Sequence, residues 1–254
     1  HIDTNPSTTN TNLLDWLGTE TEPQVIKWYD QSTSANHLSI GTNGPILKFT
    51  DNTSAFNNEY GIYFNDDKDR QLFKKNFENF RKQETQTHTI ITGYTHTHNH
   101  NTNAVLFLLE SDDYGVSTTT AKTIGFFPYY GQYYFTGPGG SNYDLLLDDP
   151  LETRDTSSLL ALKYDLSTDE KYIYKNGVSK KEGHSDDLQL AEIVNLELGN
   201  HSYYTDRRFN GTIYNFLITN VALPDSTITN INRALHISFP SSIDSLPGLL
   251  DGKL

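Results

Sequence analysis

The sequence predicts an all-β protein in which two antiparallel sheets pack face to face as a β-sandwich, with one or two short helices. Short apolar or alternating segments recur along the chain, and each is bounded by Gly, Asn, Asp, Ser or Pro. Many short strands between frequent turn signals are typical of a sandwich or a barrel. The predicted strands are residues 25–29, 61–64, 87–94, 104–109, 123–127, 132–135, 158–164, 171–174, 196–198 and 211–218.

Asn-Gly pairs mark the start of two strands. Asn176-Gly177 follows the strand at residues 171–174 and is a strong signal for a two-residue hairpin turn. Asn210-Gly211 repeats the same signal further along the chain. We therefore expect a tight turn at both places.

Two segments have helical spacing. In residues 223–235, Ile228, Ile231 and Leu235 repeat at spacings of three and four, and a proline suits the first helical turn. Residues 70–82 show a weaker pattern of the same kind. The sequence therefore predicts one clear helix and one weaker helix.

Composition restricts the classes of partner. The chain has 254 residues, a formal net charge of −13, and neither Cys nor Met. The acidic balance disfavours nucleic acid and anionic membrane surfaces, and the lack of Cys excludes disulfides, thiolate metal sites and cysteine nucleophiles. Because no apolar run approaches the roughly 18 residues of a membrane span, we predict no membrane insertion. Cations and sugars remain compatible with this composition.

The predicted organisation is one domain preceded by a polar segment. Residues 1–12 are polar and aperiodic, which predicts a linker or frayed arm. Since no internal repeat or linker divides the remainder, residues 13–254 are predicted to form a single domain. The chain starts at His1 and lacks Met, so we expect it to be tethered to other domains of a larger protein.

Stretches in the same order resemble laminin-G-like or concanavalin-A-like jelly-roll domains of surface proteins. Residues 25–38 resemble the opening W-Y-D-x-S-G-N-G-N-x-L, and residues 61–72 resemble F-D-G-x-D-D-x-L. Residues 171–178 resemble the hairpin x-I-Y-V-N-G, and residues 198–200 with 209–225 resemble the ending of the family pattern. The resemblance implies a concanavalin-A-like jelly roll on a cell or virion surface or in the extracellular space. It implies sugar or surface binding far more often than catalysis.

The chain departs from that family pattern in two places. Thr33 and Ala35 replace glycines of the opening motif, and Tyr214 and Asn215 replace an acidic pair of the ending. We therefore transfer no role from those acids to this chain.

The aromatic segment at residues 126–143 predicts a sugar-binding surface. A Tyr ring offers a flat apolar face with a hydroxyl at its edge, which matches the apolar C–H face of a sugar. Inward-facing members of the segment would instead pack in the core. The loop at residues 203–208 is a rival site, because a guanidinium suits the carboxylate of a uronic or sialic acid. The predicted ligand-binding residues are Tyr129, Tyr130, Tyr133, Tyr134, Tyr203, Tyr204, Arg207 and Arg208.

Acidic loops predict calcium as a cofactor. Residues 65–69 place oxygens at alternate positions, which suits a hard cation. Adjacent acids in other loops repel each other unless a cation or solvent screens them. We favour the pair at 148–149, which lies beside Pro150 at a predicted strand end. The alternative is that the acidic residues of these loops are exposed to solvent and bind no cation. The predicted metal ligands are Asp148, Asp149, Asn65, Asp67 and Asp69.

Histidines at alternate positions suggest a zinc site. His96, His98 and His100 would share one face of an extended strand, with His88 as a fourth ligand. The neighbouring Asn residues favour a solvated loop instead.

Trp28 is predicted to be buried, and Asp30, Ser32 and Asn36 to hold a turn through hydrogen bonds between side chains and the backbone. A ligand role for Asp30 or Asn36 is the alternative. Sequons begin at Asn52, Asn200 and Asn210.

These patterns predict a carbohydrate-binding or adhesion module of a larger surface or fibre protein, assisted by calcium. Its partner would be a glycan or a cell-surface glycoconjugate. The alternatives are a glycoside hydrolase or lyase of the same fold and a spacer without a ligand. A glycosidase needs two carboxyls roughly 5–10 Å apart. Glu110 and Glu197 are isolated in predicted strands and no E-x-D-x-x-E alternation occurs, so an enzyme is the weaker prediction.

Overall fold

The structure is a computed structural model that describes residues 2–4, 24–30, 36–40, 44–49, 60–65, 72–75, 87–96, 104–111, 123–128, 131–136, 145–146, 157–184, 195–200 and 207–236. Within these ranges the strands, in chain order, are β1 (Ile2–Thr4), β2 (Val25–Trp28), β3 (Leu38–Ile40), β4 (Ile46–Phe49), β5 (Tyr60–Phe64), β6 (Leu72–Lys75), β7 (His88–His96), β8 (Phe107–Glu110), β9 (Thr123–Phe127), β10 (Gln132–Thr136), β11 (Leu145–Leu146), β12 (Ser157–Asp165), β13 (Glu170–Lys175), β14 (Val178–His184), β15 (Asn195–Leu198) and β16 (Gly211–Thr219). The helix α1 covers Asp225–His236.

The strands form two sheets, so the predicted β-sandwich is confirmed. One sheet has nine strands in the order β1-β2-β3-β6-β15-β8-β9-β10-β11, and the other has seven in the order β14-β13-β12-β7-β16-β5-β4. The neighbouring strands pair antiparallel, as at β15 with β8 and at β12 with β7. Each of the strands predicted from the sequence overlaps one of these strands.

A single apolar core lies between the sheets. Alternate residues of each strand point into it, such as Phe107 and Leu109 from the nine-stranded sheet and Leu160 and Leu162 from the seven-stranded sheet. Trp28 is partly buried and packs against this core. The opposite side chains of each strand lie on the two outer faces of the sandwich.

The helix α1 covers part of the outer face of the seven-stranded sheet. Ile228 is fully buried in a second apolar cluster with Ile91 and Leu159, and Ile231 and Leu235 pack against it. The periodic residues of the predicted helix are therefore the ones that face the sheet, which confirms that prediction.

The weaker helix prediction at residues 70–82 is wrong where the structure describes it. Leu72–Lys75 is strand β6, which pairs with β15 and β3. Leu72 is fully buried in the core, and sheet pairing on both sides outweighs a short helical spacing. Residues 70–71 and 76–82 lie outside the described residues.

The first Asn-Gly turn is confirmed and the second is not a hairpin. Asn176 and Gly177 have φ values of 52° and 78°, and Lys175 pairs with Val178, as a two-residue turn of this class requires. Gly211 begins β16 as expected, but β16 pairs with β5 and β7. A Cβ at Gly211 would lie 2.0 Å from the carbonyl oxygen of Thr95, so glycine is required there by the close approach of β7.

β2 pairs with a short strand near the start of the chain and is followed by a turn that side chains hold. Within the polar segment at the start of the chain, Ile2–Thr4 pairs with β2 as an edge strand. Beyond β2, the Asn36 N–H donates to Asp30 Oδ2 at 2.8 Å, and the Asp30 N–H donates to Nδ1 of His37 at 3.1 Å. The predicted turn role of Asp30 is therefore confirmed.

Among the described residues, no helix has both the length and the hydropathy that a membrane crossing needs.

Candidate functional site

Two glutamates lie on the outer face of the nine-stranded sheet. Phe107 and Leu109 point into the core, so Glu110, the next residue of β8, points to the opposite face. On β15, Leu196 and Leu198 point into the core, so Glu197 points outward as well. Strand alternation thus sends both acids away from the apolar core.

The strand register brings these two acids together. Glu110 lies opposite Asn195 of β15 and opposite Thr123 of β9. Glu197 stands two residues after Asn195 and is the diagonal neighbour of Glu110, and diagonal neighbours on one face are about 7–8 Å apart. Side chains as long as glutamate bridge that distance easily. Sequence reasoning treated these glutamates as isolated, and only the strand order reveals the pair.

Both glutamates are nearly inaccessible although they lie on an outer face. Glu110 is 3% exposed and Glu197 is 6% exposed. Burial, followed by the charge of Glu197, raises the pKa of Glu110 well above its ordinary value, while Arg207 acts in the opposite direction. The carboxyl of Glu110 therefore holds its proton to higher pH than an exposed glutamate does.

An arginine and an aromatic ring complete the group. The guanidinium of Arg207 lies 5.7 Å from the centroid of the Phe127 ring. Phe127 packs with Leu108 and Val105 in a small apolar cluster, and the Val105 N–H donates to the carbonyl of Arg207 at 3.3 Å. We call Glu110, Glu197, Thr123, Phe127 and Arg207 the outer-face cluster.

The structure describes few of the predicted ligand residues. Arg207 and Arg208 are half-buried at the start of the segment that leads into β16, and Arg207 belongs to the outer-face cluster. For Tyr134 the structure describes the strand β10 but not the side chain. Tyr129, Tyr130, Tyr203 and Tyr204 lie outside the described residues.

Tyr133 cannot serve as the predicted sugar-stacking ring in this structure. Its side chain is fully buried in the core, because position 133 of β10 is paired with the core residue Phe126. Its hydroxyl forms a hydrogen bond with Nε2 of His88 on the opposite sheet. The aromatic segment therefore contributes at least this one ring to the contact between the sheets, and the prediction for Tyr133 is corrected.

The predicted zinc set is not brought together. His88 and His96 are the two ends of β7, so they stand eight residues or about 26 Å apart. His88 bonds Tyr133, and His96 stacks on Phe209 with ring centroids 5.6 Å apart. His98 and His100 lie outside the described residues. His88 therefore cannot share an ion with His96.

The predicted calcium residues are mostly outside the described part of the chain. Asn65 is half-buried directly after β5, whereas Asp67, Asp69, Asp148 and Asp149 are not described. Within the described ranges, no group of three or more His, Asp or Glu side chains is placed to hold a metal ion.

The sequons at Asn200 and Asn210 are unsuitable glycosylation acceptors in the folded chain, because these side chains are 5% and 6% exposed.

A second polar group, the helix-side cluster, lies on the outer face of the seven-stranded sheet. It consists of Lys163, Asp225, Tyr172 and Tyr174. Lys163 Nζ and the Tyr174 hydroxyl each donate to Asp225 Oδ1 at 2.7 Å, and Lys163 lies 4.0 Å from the centroid of the Tyr172 ring. The hydrogen bond from Lys163, followed by that from Tyr174, lowers the pKa of Asp225.

Known structures share the fold of this chain. The binding domain of Paraclostridial Mosquitocidal Protein 1 aligns with a TM-score of 0.59 and 13% identity over 85% of this chain and 50% of that one. The binding domain of botulinum neurotoxin serotype D aligns with a TM-score of 0.58 and 10% identity over 81% of this chain and 48% of that one. The chain thus spans about half the length of either toxin domain, and identities this low establish the fold alone.

A smaller neighbour aligns over less of this chain. The CBM40 module of the Ruminococcus gnavus IT-sialidase gives a TM-score of 0.47 and 18% identity over 59% of this chain and 84% of that module. No family model matches the sequence, and no curated protein matches it either. The laminin-G-like or concanavalin-A-like label is therefore not confirmed.

Proposed function

We propose that this chain is a glycan-binding module and that its outer-face cluster recognises an acidic sugar. The general class follows the fold, because two neighbours with this fold are named as binding domains of toxins. The ligand class follows the chemistry of Arg207. A guanidinium keeps its charge at every physiological pH and binds a carboxylate through two parallel hydrogen bonds.

The observation that carries this proposal is the position of Arg207 beside the Phe127 ring and near Glu110. Its guanidinium lies over Phe127 and close enough to Glu110 to act on its pKa. A stacked guanidinium has a fixed orientation, so less conformational entropy is lost when it binds a ligand.

A glycan array tests this proposal. The wild-type protein should bind glycans with a uronic or sialic acid and ignore their neutral counterparts. Arg207→Ala should weaken binding at least tenfold, since a hydrogen bond to a charged group contributes about 1.5–3 kcal/mol. Arg233→Ala is the matched control, because Arg233 is exposed on α1 beside the other sheet. Equal loss in both variants, or binding only to neutral glycans, would refute the role of Arg207.

Glycoside hydrolysis is a second candidate, because Glu110 and Glu197 are neighbours on one sheet face. Side chains from diagonal positions about 7–8 Å apart can place their carboxyls within the roughly 5–9.5 Å used by glycosidases. A glutamate with a raised pKa suits a general acid. Their burial weighs against it, since a glycosidic bond must reach both carboxyls. Hydrolysis would be supported if the wild-type protein releases reducing sugar from a polysaccharide and Glu197→Gln does not. If the wild-type protein releases no reducing sugar from any polysaccharide of a panel, those polysaccharides are excluded as substrates.

We also propose an extracellular or surface location and tethering within a larger protein, as expected for a glycan-binding module. Calcium at Asp148, Asp149 or residues 65–69 remains part of this proposal. If the protein binds no glycan of a broad array, the alternative of a spacer domain without a ligand is favoured.

A further inference from the structure

The turn between β2 and β3 is closed by two hydrogen bonds whose acceptors differ in chemistry. The Asn36 N–H donates to Asp30 Oδ2 at 2.8 Å, and the Asp30 N–H donates to Nδ1 of His37 at 3.1 Å. One acceptor is a carboxylate and the other is a nitrogen of an imidazole ring. Both bonds lie directly beside the first pair of the two strands, Trp28 with Leu38.

The bond at His37 defines the protonation state of its ring. A neutral imidazole carries a proton on one nitrogen and accepts at the other, whereas an imidazolium donates at both nitrogens. Because Nδ1 of His37 accepts the Asp30 N–H, the ring is neutral and its proton lies on Nε2. A proton added at Nδ1 would face the Asp30 N–H, and two donors cannot bond each other. The turn as folded is therefore incompatible with a protonated His37.

Aromatic packing holds the His37 ring in the accepting position. His37 is half-buried, and its ring centroid lies 5.0 Å from that of Tyr29. Lys27 Nζ lies 4.5 Å from the centroid of the same Tyr29 ring. The ring of His37 thus has a defined neighbour that a phenylalanine in its place would keep.

Titratable groups near the turn come from β1, β2, β6 and the turn itself. Asp3 of β1 is the register partner of Lys27, and continuing the pairing of β3 with β6 by two residues brings Lys75 opposite His37. Residues 31–35 contain no titratable side chain. Among the described residues, the titratable neighbours are Asp3, Lys27, Tyr29, Asp30 and Lys75.

We propose that His37 is an acid-sensitive lock on the connection between β2 and β3. At neutral pH its ring accepts the Asp30 N–H and the turn is closed. As the pH falls towards about 5, the ring takes up a proton from solvent and this bond is lost. The imidazolium then donates to the Asp30 carboxylate, in competition with the Asn36 N–H. Both bonds of the turn weaken in one step, and this response does not depend on glycan binding.

Nuclear magnetic resonance observes the proposed lock directly. A hydrogen bond between two nitrogens transmits a scalar coupling, so isotopically labelled protein should show one between the Asp30 amide nitrogen and Nδ1 of His37 at about pH 8. At about pH 5 this coupling should disappear while the His37 ring nitrogens take the shifts of an imidazolium. Protection of the Asp30 amide against hydrogen exchange should fall about fivefold, as expected for the loss of one hydrogen bond.

Two substitutions separate the acceptor from the ring. His37→Asn keeps an acceptor oxygen near the position of Nδ1 and cannot take up a proton, so the Asp30 and Asn36 amide signals should not change between the two pH values. His37→Phe keeps the ring contact with Tyr29 and removes the acceptor, so its signals should resemble those of acidified wild type at both. His184→Asn is the control, because it changes a histidine of the other sheet and should leave the response at Asp30 intact.

The proposal is overturned if the coupling is absent at the higher pH, if it persists at the lower pH, or if the His37 ring stays neutral throughout. It is equally overturned if His37→Asn shows the same changes at Asp30 and Asn36 as wild type does, because another group would then cause them.

Discussion

The two outer faces of the sandwich differ in how their acidic side chains are placed. On the seven-stranded sheet, Lys163 and Tyr174 both donate to Asp225, and an amphipathic helix covers the neighbouring apolar residues. On the nine-stranded sheet, two glutamates are buried side by side and a threonine hydroxyl lacks a partner. The first face pairs its acid with a lysine and a tyrosine, although the buried amide of Asn232 on α1 has no hydrogen-bond partner. The second face places two acids next to each other and beside Arg207.

This difference is the reason why we place the proposed ligand on the nine-stranded sheet. Hydrogen-bonded, helix-covered groups stabilise the fold and leave little capacity for a ligand. Glu110 has a strongly raised pKa beside a second acid, and strongly shifted pKa values concentrate at functional sites. We therefore assign stability to the helix-side cluster and ligand recognition to the outer-face cluster.

The largest effect is expected from Ile228→Ala on the buried face of α1. Ile228 is fully buried in the apolar cluster between α1 and the seven-stranded sheet, so truncation should lower the free energy of unfolding by about 3 kcal/mol. Leu217→Ala is the matched control, because Leu217 is 44% exposed on the same sheet and its truncation should cost less than about 1 kcal/mol. Urea denaturation measures both. Equal costs would show that the helix does not stabilise this face.

The next effect is a pH dependence at Glu110. Its folded-state pKa is raised above 4.5, so its stabilising contribution is complete below that pH and is lost as the pH rises through the folded pKa. Glu110→Gln should remove this loss and become more stable relative to wild type towards pH 8, by about 1.4 kcal/mol for each unit of pKa shift. Parallel urea titrations of both proteins from pH 4.5 to pH 8 measure it. Parallel stability curves would contradict the buried acid pair.

The smallest effect, with the opposite sign, is expected at Asp225. Its folded-state pKa is lowered below 3.8, so its stabilising contribution is present above that pH and is lost as the pH falls through the folded pKa. The Asp225 side chain is 67% exposed, so its coupling with Lys163 should stay below about 1 kcal/mol. A double-mutant cycle of Asp225→Asn and Lys163→Met at pH 7 measures this coupling. A coupling of several kcal/mol would indicate a buried ion pair.

The sequence predicted most of the interior strands and missed several short ones. β7, β8 and β12 are long or strongly apolar, and both neighbours of each are strands. The edge strands β1 and β4 and the interior strands β3 and β6 were not predicted as strands, whereas the Asn176-Gly177 turn predicted the start of the edge strand β14. Edge strands bury less surface and tolerate charges, as the two lysines of β14 show. Their pattern therefore resembles that of loops.

The site was predicted only in part for a related reason. Arg207 was among the predicted ligand residues, because the affinity of a guanidinium for a carboxylate can be inferred from the residue type alone. Glu110 and Glu197 are 87 residues apart in the chain and become neighbours only because β15 inserts beside β8. Such pairing of distant strands depends on the topology of the whole sheet, which local patterns do not encode. Tyr133 was predicted to bind a ligand although it faces the core. Residues 133 and 134 are both Tyr, so the alternation of side chains along the strand does not show from the sequence which of the two rings faces the core.

Mapping a bound acidic glycan by NMR tests the central claim most directly. The glycan that binds best on the array would be titrated into isotopically labelled protein while backbone amide shifts are followed. We predict that the largest shifts fall on the nine-stranded sheet at Thr123, Phe127 and Arg207, with α1 unchanged. Shifts concentrated on α1 and β13, with none at the outer-face cluster, would contradict the assignment of recognition to this face.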